Sequence, residues 1–246
     1  MRALLFLSLI FLTSCATKKR SVLDFDFQLE EDENKSLTLW ATNYYTPIYQ
    51  VRMSGIPLKD LGENSLVNGV YPVLLSKKEW CYSAMEGSVA IRFPGGDQKT
   101  YNYAGKTSTQ VDCSPYFGGD FPATNKVRFR PARSRWGDGT KQYSLIPYRT
   151  IAVDPNIIPF GSVVYIPRAK GVKFRWIGKE FTHDGFFFAG DRGGAIKGAH
   201  IDVFTGNSKN HEFDFIGNSK SKTFTGFIVE DGEAIEDLTR LHKIFY

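Results

Sequence analysis

The chain has little cysteine and little histidine: three and four residues respectively in 246. His183, His200 and His211 are too scattered for a zinc-ligand spacing, which excludes a recognisable zinc centre. No Gly-x-Ser-x-Gly elbow is present. The stretch 190–198 (GDRGGAIKG) is rich in glycine, but Lys197 is followed by Gly198, so the Gly-Lys-Ser/Thr core of a phosphate loop is missing. Basic runs are equally scarce. Beyond Lys18-Lys19-Arg20 there is none, so the net charge of +5 reads as solubility with weak attraction to anionic polymers, without nucleic-acid binding. No internal repeat or low-complexity array occurs. With few thiols and no serine elbow, acid-base chemistry by carboxylates is the chemistry that remains.

A long apolar run is also missing. The apolar stretch over 3–12 is about half of the roughly twenty residues that a membrane-crossing helix needs. It follows a short basic start and ends in Leu12-Thr13-Ser14-Cys15, which looks like a lipobox: small residues for a peptidase, then a cysteine to be acylated. Several acyl chains anchor stably where a single one binds only marginally. Ala16 follows the cysteine in place of an aspartate, which points to the outer membrane. The expected address is therefore its periplasmic face, reached through a lipid on Cys15. Cys81 and Cys113 are left, compatible with one disulfide or with two buried thiols.

Residues 16–36 are polar, with the acidic run Glu30-Glu31-Asp32-Glu33, and read as a tether. Strand-like alternation begins at Leu37. Between about 50 and 130, Pro57, Pro72, Pro94 and several glycines break the chain into short pieces. Within that interval Ser76-Lys77-Lys78-Glu79 is a capping box that opens a helix, with Gly87 as its stop, and 91–103 reads as a hairpin across Pro94-Gly95-Gly96-Asp97. From Tyr143 onward short strands separated by glycine turns suggest a mainly β, closed barrel, with a final helix over 231–243. The organisation expected is a signal peptide over 1–14, a flexible tether over 15–36, a barrel domain from 37–50 and 136–246, and an inserted lobe over 51–135.

The segment 186–206 (FFFAGDRGGAIKGAHIDVFTG) holds two aspartates, Asp191 and Asp202, around a turn whose glycines leave room for a substrate. On a strand, His200 and Asp202 share one face while Ile201 and Val203 share the other. A carboxyl set among aromatic and aliphatic neighbours is poorly solvated and holds its proton near neutral pH, as a general acid must. A solvated aspartate on a barrel rim is the competing reading. Asp191 before a glycine run, and Asp154 before Pro155, also fit turn-building residues that support the site.

The stretches 145–155 (LIPYRTIAVDP), 158–161 (IPFG), 189–198 (AGDRGGAIKG) and Ile201-Asp202 resemble the three-aspartate (3D) domain, the catalytic part of the membrane-bound lytic transglycosylase A (MltA) family. Residues 42–47 resemble that family's first strand. The resemblance implies a double-psi β-barrel and peptidoglycan glycan strands as substrate. It implies Asp202 as the catalytic acid and base, with Asp191 lining the groove and Asp154 in support. It further implies Thr42, Tyr44 and Tyr45 facing the glycan, and Lys197 within the glycine-rich signature. The expected activity is cleavage of the bond between N-acetylmuramic acid and N-acetylglucosamine with a 1,6-anhydro product. Tyr44, Tyr45 and Phe186 can stack on sugars, although Phe186 to Phe188 also fit a core. The alternative is an expansin-like, wall-binding protein without catalysis. No cofactor, metal or oligomer is expected. The interval 51–135 is shorter than the family's own insertion, which bears on groove length.

Overall fold

The computed structural model of the protein describes residues 20–28, 35–58, 73–108, 111–119, 121–217, 219–230 and 232–244. The expected signal peptide and Cys15 lie outside the described residues. In chain order the first strands are β1 (Lys35–Tyr44), β2 (Ile48–Gln50), β3 (Ile56–Pro57) and β4 (Leu74–Leu75). Helix α1 (Lys77–Glu86) follows, then β5 (Ser88–Arg92), β6 (Gln98–Lys106), the single-turn helix α2 (Ser114–Phe117) and β7 (Val127–Pro131). The rest comprises β8 (Thr150–Ala152), β9 (Val163–Tyr165), β10 (Lys173–Trp176), β11 (Lys179–Thr182), β12 (Phe186–Asp191), β13 (His200–Phe204), β14 (Thr223–Val229) and helix α3 (Glu233–His242).

Six strands close into a barrel in the order β1-β13-β8-β12-β9-β14. The closure uses two parallel pairs, β1 with β13 and β8 with β12, and the other neighbours run antiparallel. A closed barrel leaves no strand edge unpaired, which suits a chain with so many short strands. Period-two alternation sorts the side chains. Leu39, Ala41, Ile151, Val164, Phe187, Ala189, Ile201 and Val203 join one buried cluster, whereas Phe186, Phe188, Val163 and Val229 pack on the other side, with Ala234 and Leu238 of α3. Phe186 is therefore core and is not available to a sugar.

The second lobe is a four-stranded sheet, β2-β5-β6-β7, with α1 packed on it. Its helix starts as its sequence dictates. Ser76 Oγ accepts from the Glu79 amide at 3.3 Å, Glu79 Oε2 accepts from the Ser76 amide at 2.9 Å, and Gly87 ends the helix at φ 77°. A Cys81–Cys113 disulfide ties this helix to the start of α2.

The flexible tether expected over 15–36 does not hold for residues 20–28, which lie against the barrel. Phe27 is 2% exposed, and Phe25 meets Phe174 edge-on at 5.0 Å. The cause is a buried ion pair. Arg149, 1% exposed, donates to both oxygens of Asp184 at 2.6 and 2.8 Å, and its remaining reach goes to the Phe186 and Asp24 carbonyls. The Phe27 amide donates to Asp184 Oδ2 at 3.1 Å, and the guanidinium sits 4.0 Å from the Phe25 ring centre. The strap thus completes the hydrogen bonding of two buried charges, a demand that the polar composition around it does not reveal. Ordered strand also starts two residues earlier than expected, at Lys35.

Candidate functional site

Asp202 projects from β13 at the position paired with Thr42 of the parallel strand β1. Its Oδ1 accepts from Thr42 Oγ1 at 2.9 Å, and the same Oγ1 lies 2.8 Å from His200 Nε2. The His200 ring is stacked on Trp40, with centres 3.6 Å apart and planes 8° from parallel. Ile201 and Val203 point the opposite way and are fully buried. This follows from alternation along the strand: two polar residues share one face and two aliphatic ones the other.

Asp191 ends β12, and its charge acts on Asp202. Tyr44 Oη donates to its Oδ2 at 2.9 Å. Burial pushes both carboxyls up, Asp191 to about 6 and Asp202 to about 7, and the negative charge of Asp191 raises Asp202 further. The hydrogen bonds from Tyr44 and Thr42 work against that rise without cancelling it. Burial also raises the Tyr44 phenol well above its ordinary range, so it is a neutral donor. The pair therefore includes a carboxyl that burial holds well above the ordinary aspartate range, at about 7.

Asp154 serves a different purpose. Its Oδ2 accepts from the Gly198 amide at 2.9 Å, and its Oδ1 accepts from the backbone and side-chain nitrogens of Asn156 at 3.1 and 3.0 Å. These bonds hold the carboxyl below the usual range and pin the loop between β12 and β13. Gly198 has φ 62°, in the left-handed region that glycine enters without strain. Lys197 is exposed, and its charge acts on Asp154. The loop glycines answer to packing as well as to access: a Cβ on Gly193 would stand 2.5 Å from Ile196 Cγ1.

Tyr45 turns toward the second lobe. Its backbone amide donates to Glu86 Oε2 at 3.0 Å, and burial raises its phenol. Glu86, the last residue of α1, is the site residue that sequence reasoning missed. Burial pushes its carboxyl to about 8, and the charge of Asp202 contributes to the rise. One signal was available: an acid in the last turn opposes the helix dipole, so its placement needs a reason outside the helix. Among the described residues, no group of three His, Cys, Asp or Glu side chains could hold a metal ion.

The model of the 3D domain matches residues 149–223, which include Asp154, Asp191 and Asp202. No curated protein matches the chain. Among solved structures, the fold is similar to that of Escherichia coli MltA with bound chitohexaose, at 18% identity and a TM-score of 0.50, over 78% of this chain and 71% of that one. It is equally similar to a membrane-bound lytic murein transglycosylase from Agrobacterium tumefaciens, at 18% identity and 0.50, over 80% and 76% of the two chains.

Proposed function

We propose that this chain, a 3D-domain protein with an MltA-like fold, is a peptidoglycan lytic transglycosylase in which Asp202 is acid and then base. The observation that carries the reading is the state of Asp202. It lies on β13 beside Asp191, hydrogen-bonded at one oxygen only among the described side chains and held at about 7 by burial. Such a group has a proton to give at neutral pH and, once ionised, is basic enough to take one back.

The reaction balances on that one group. The Asp202 proton goes to the oxygen linking N-acetylmuramic acid to N-acetylglucosamine, and the bond from that oxygen to C1 breaks. The muramyl C6 hydroxyl oxygen bonds to C1 and gives its proton to the Asp202 carboxylate. A hydrolase with water as acceptor commonly needs a second carboxylate as nucleophile or base. Here the sugar's own hydroxyl is the nucleophile, and its high effective concentration replaces an activated water. Burial keeps Asp202 protonated, the charge of Asp191 adds to that, and Tyr44 donates to Asp191. The E. coli MltA structure holds chitohexaose, and we take a glycan strand as the ligand of this site as well.

The same reading treats the barrel as the double-psi kind, formed by 37–50 and 136–246 with 51–135 as the inserted lobe. It places an acylated Cys15 in the outer membrane, with the protein acting as a monomer on its periplasmic face.

The test is digestion of purified sacculi by the protein and by Asp202→Asn, with the released muropeptides weighed. Anhydro products that disappear in the variant are the expected result. Reducing-end products replace the transglycosylase with a hydrolase. Sugar binding without release sinks both enzyme readings and leaves a wall-binding protein.

A further inference from the structure

The segment 128–138 (RFRPARSRWGD) carries four arginines and one carboxylate. That carboxylate, Asp138, is buried and already committed. It accepts from the Arg133 and Ser134 amides at 2.9 and 3.0 Å, with Arg133 Nε at 3.3 Å and Arg130 Nη2 at 3.9 Å. Arg128 Nε donates to the Ala104 carbonyl at 3.0 Å. Arg135 is left over. It is exposed, no carboxylate pairs with it among the described residues, and its guanidinium carbon stands 5.3 Å from the centre of the Trp136 ring.

The backbone that carries Arg135 is fixed against the site. The Arg135 carbonyl accepts from Thr100 Oγ1 at 2.6 Å, and the Trp136 carbonyl accepts from Thr46 Oγ1 at 2.7 Å. The Thr46 amide in turn donates to the Gly206 carbonyl at 2.7 Å, which ties the chain just past β1 to the chain just past β13. A Cβ on Gly139 would stand 2.3 Å from the Gly190 carbonyl oxygen, so this loop lies directly on the residue before Asp191. The half-buried Trp136 packs against the group that includes Tyr44, Ile196 and Phe204. Arg135 is thus carried at the barrel end where β1 finishes with Tyr44 and β12 with Asp191. Arg192, next in the chain, is also exposed; its charge acts on Asp191, and no ion pair holds its guanidinium among the described residues.

We propose that Arg135, with Arg192 as a second charge, forms a carboxylate-binding subsite at this rim and takes the peptide stem on the muramic acid residue. The inference rests on the proposed peptidoglycan substrate and adds a group outside the sugar chain. Wall peptides carry free carboxylates, and the carboxyls of the site itself cannot bind them. A guanidinium is a planar fork that meets a carboxylate with two parallel hydrogen bonds. The indole beneath Arg135 attracts the face of that fork and leaves its edge free to donate. A side chain already held on a fixed loop also loses less freedom when the ligand arrives.

Titration calorimetry of the intact protein with a soluble disaccharide-tetrapeptide, and with the same compound after amidation of its carboxyls, reads this contact without catalysis. The free-carboxyl form should bind roughly threefold to tenfold more tightly in low salt, the scale of two exposed charge pairs. The difference should shrink as salt is raised. Arg135→Gln with Arg192→Gln should bind the two forms equally. Lys78→Gln with Lys170→Gln removes the same charge elsewhere and should keep the preference. In digestion, wild type should favour peptide-bearing strands over strands stripped of peptide, and the arginine variant should lose that ratio. No binding of either form, equal affinity in wild type, or a preference lost in the lysine variant as well overturns the proposal. Preferential binding with no release of muropeptides keeps the subsite and sinks the transglycosylase; release of anhydro products without the preference does the reverse.

Discussion

The Tyr45 amide donates to the Glu86 carboxyl at 3.0 Å, joining the end of the barrel strand that carries Thr42 and Tyr44 to the last residue of α1 in the second lobe. Burial holds Glu86 at about 8, so below that pH the bond is to a neutral acid. Glu86→Gln keeps an acceptor for Tyr45 and should leave stability at pH 6 within about 1 kcal/mol of wild type. Glu86→Ala leaves a part-buried amide unpaired and should cost about 1–3 kcal/mol. The raised value also sets a sign. Between the ordinary glutamate range and about 8 the native state binds the extra proton, so this group's contribution declines as pH rises through that window. Glu86→Gln should remove the decline. Urea unfolding at pH 6 and pH 9 measures both effects, and equal losses for Gln and Ala would show that the bond to Tyr45 does not matter.

The same helix is also held by the Cys81–Cys113 disulfide, which closes a separation of 32 residues. Loop-entropy arithmetic gives about 3–4 kcal/mol for a cross-link of that span. Both cysteines are fully buried, so a mild reductant should act slowly on the native protein. The paired substitution Cys81→Ala with Cys113→Ala should lower unfolding stability by about that amount, observed as a lobe that melts earlier in calorimetry. A double variant as stable as wild type would mean that the apolar packing around Trp80 and Phe129 suffices.

Much of this architecture was legible from local pattern, and what was not legible depended on distant partners. The capping box at Ser76 and the hairpin before Gln98 are local, so their residues specify them directly. The alternation His200-Ile201-Asp202-Val203 likewise separates a polar face from an apolar one. The pairing of Thr42 with Asp202 is not local: 160 residues separate them, and only the parallel register of β1 with β13 brings them together. The strap is hidden for a similar reason. Val22, Leu23, Phe25 and Phe27 alternate with polar residues in this stretch, and the backbone beside the two phenylalanines is bonded to Arg149 and Asp184, far along the chain. Glu86 escaped notice because its partner, the Tyr45 amide, is backbone.

Arg149 and Asp184 supply the next expectation. Burial pushes the Asp184 carboxyl up, and the Arg149 guanidinium more than reverses this, leaving it below its usual range. Its stabilisation is therefore full above the ordinary aspartate range and is lost as pH falls through the depressed folded value. Arg149→Met strands a buried carboxylate and should cost about 3–5 kcal/mol, whereas adding Asp184→Leu should recover part of that loss. Residues 20–28 lose the bond from Arg149 to the Asp24 carbonyl in either case but keep the Arg20 bridges to Glu233 and Asp237, so trypsin should cut after Arg20 sooner in the variants than in wild type. Additive losses in the double variant would argue against a coupled pair.

Acid and alkali should stress different buried groups of the barrel. His183 and His242 are buried, and burial holds both at about 3. His183 Nε2 lies 2.7 Å from the Tyr148 carbonyl while its Nδ1 accepts from the Gly185 amide at 2.9 Å, the pattern of a neutral ring. From about 3 to the ordinary histidine value of 6.5, the unfolded chain binds more protons at these rings, so stability rises with pH. Asp202 has the reverse sign. Its folded value of about 7 exceeds the ordinary 3.8, so its contribution falls as pH rises through that interval. At about 1.4 kcal/mol per unit, and allowing for relaxation, Asp202→Asn should match wild type near pH 4 and exceed it by roughly 2–4 kcal/mol at pH 8. Urea unfolding of both proteins at pH 4, 6 and 8 gives the comparison. An offset that does not change with pH would mean that Asp202 is not held protonated by its burial, and the acid role built on that state would go with it.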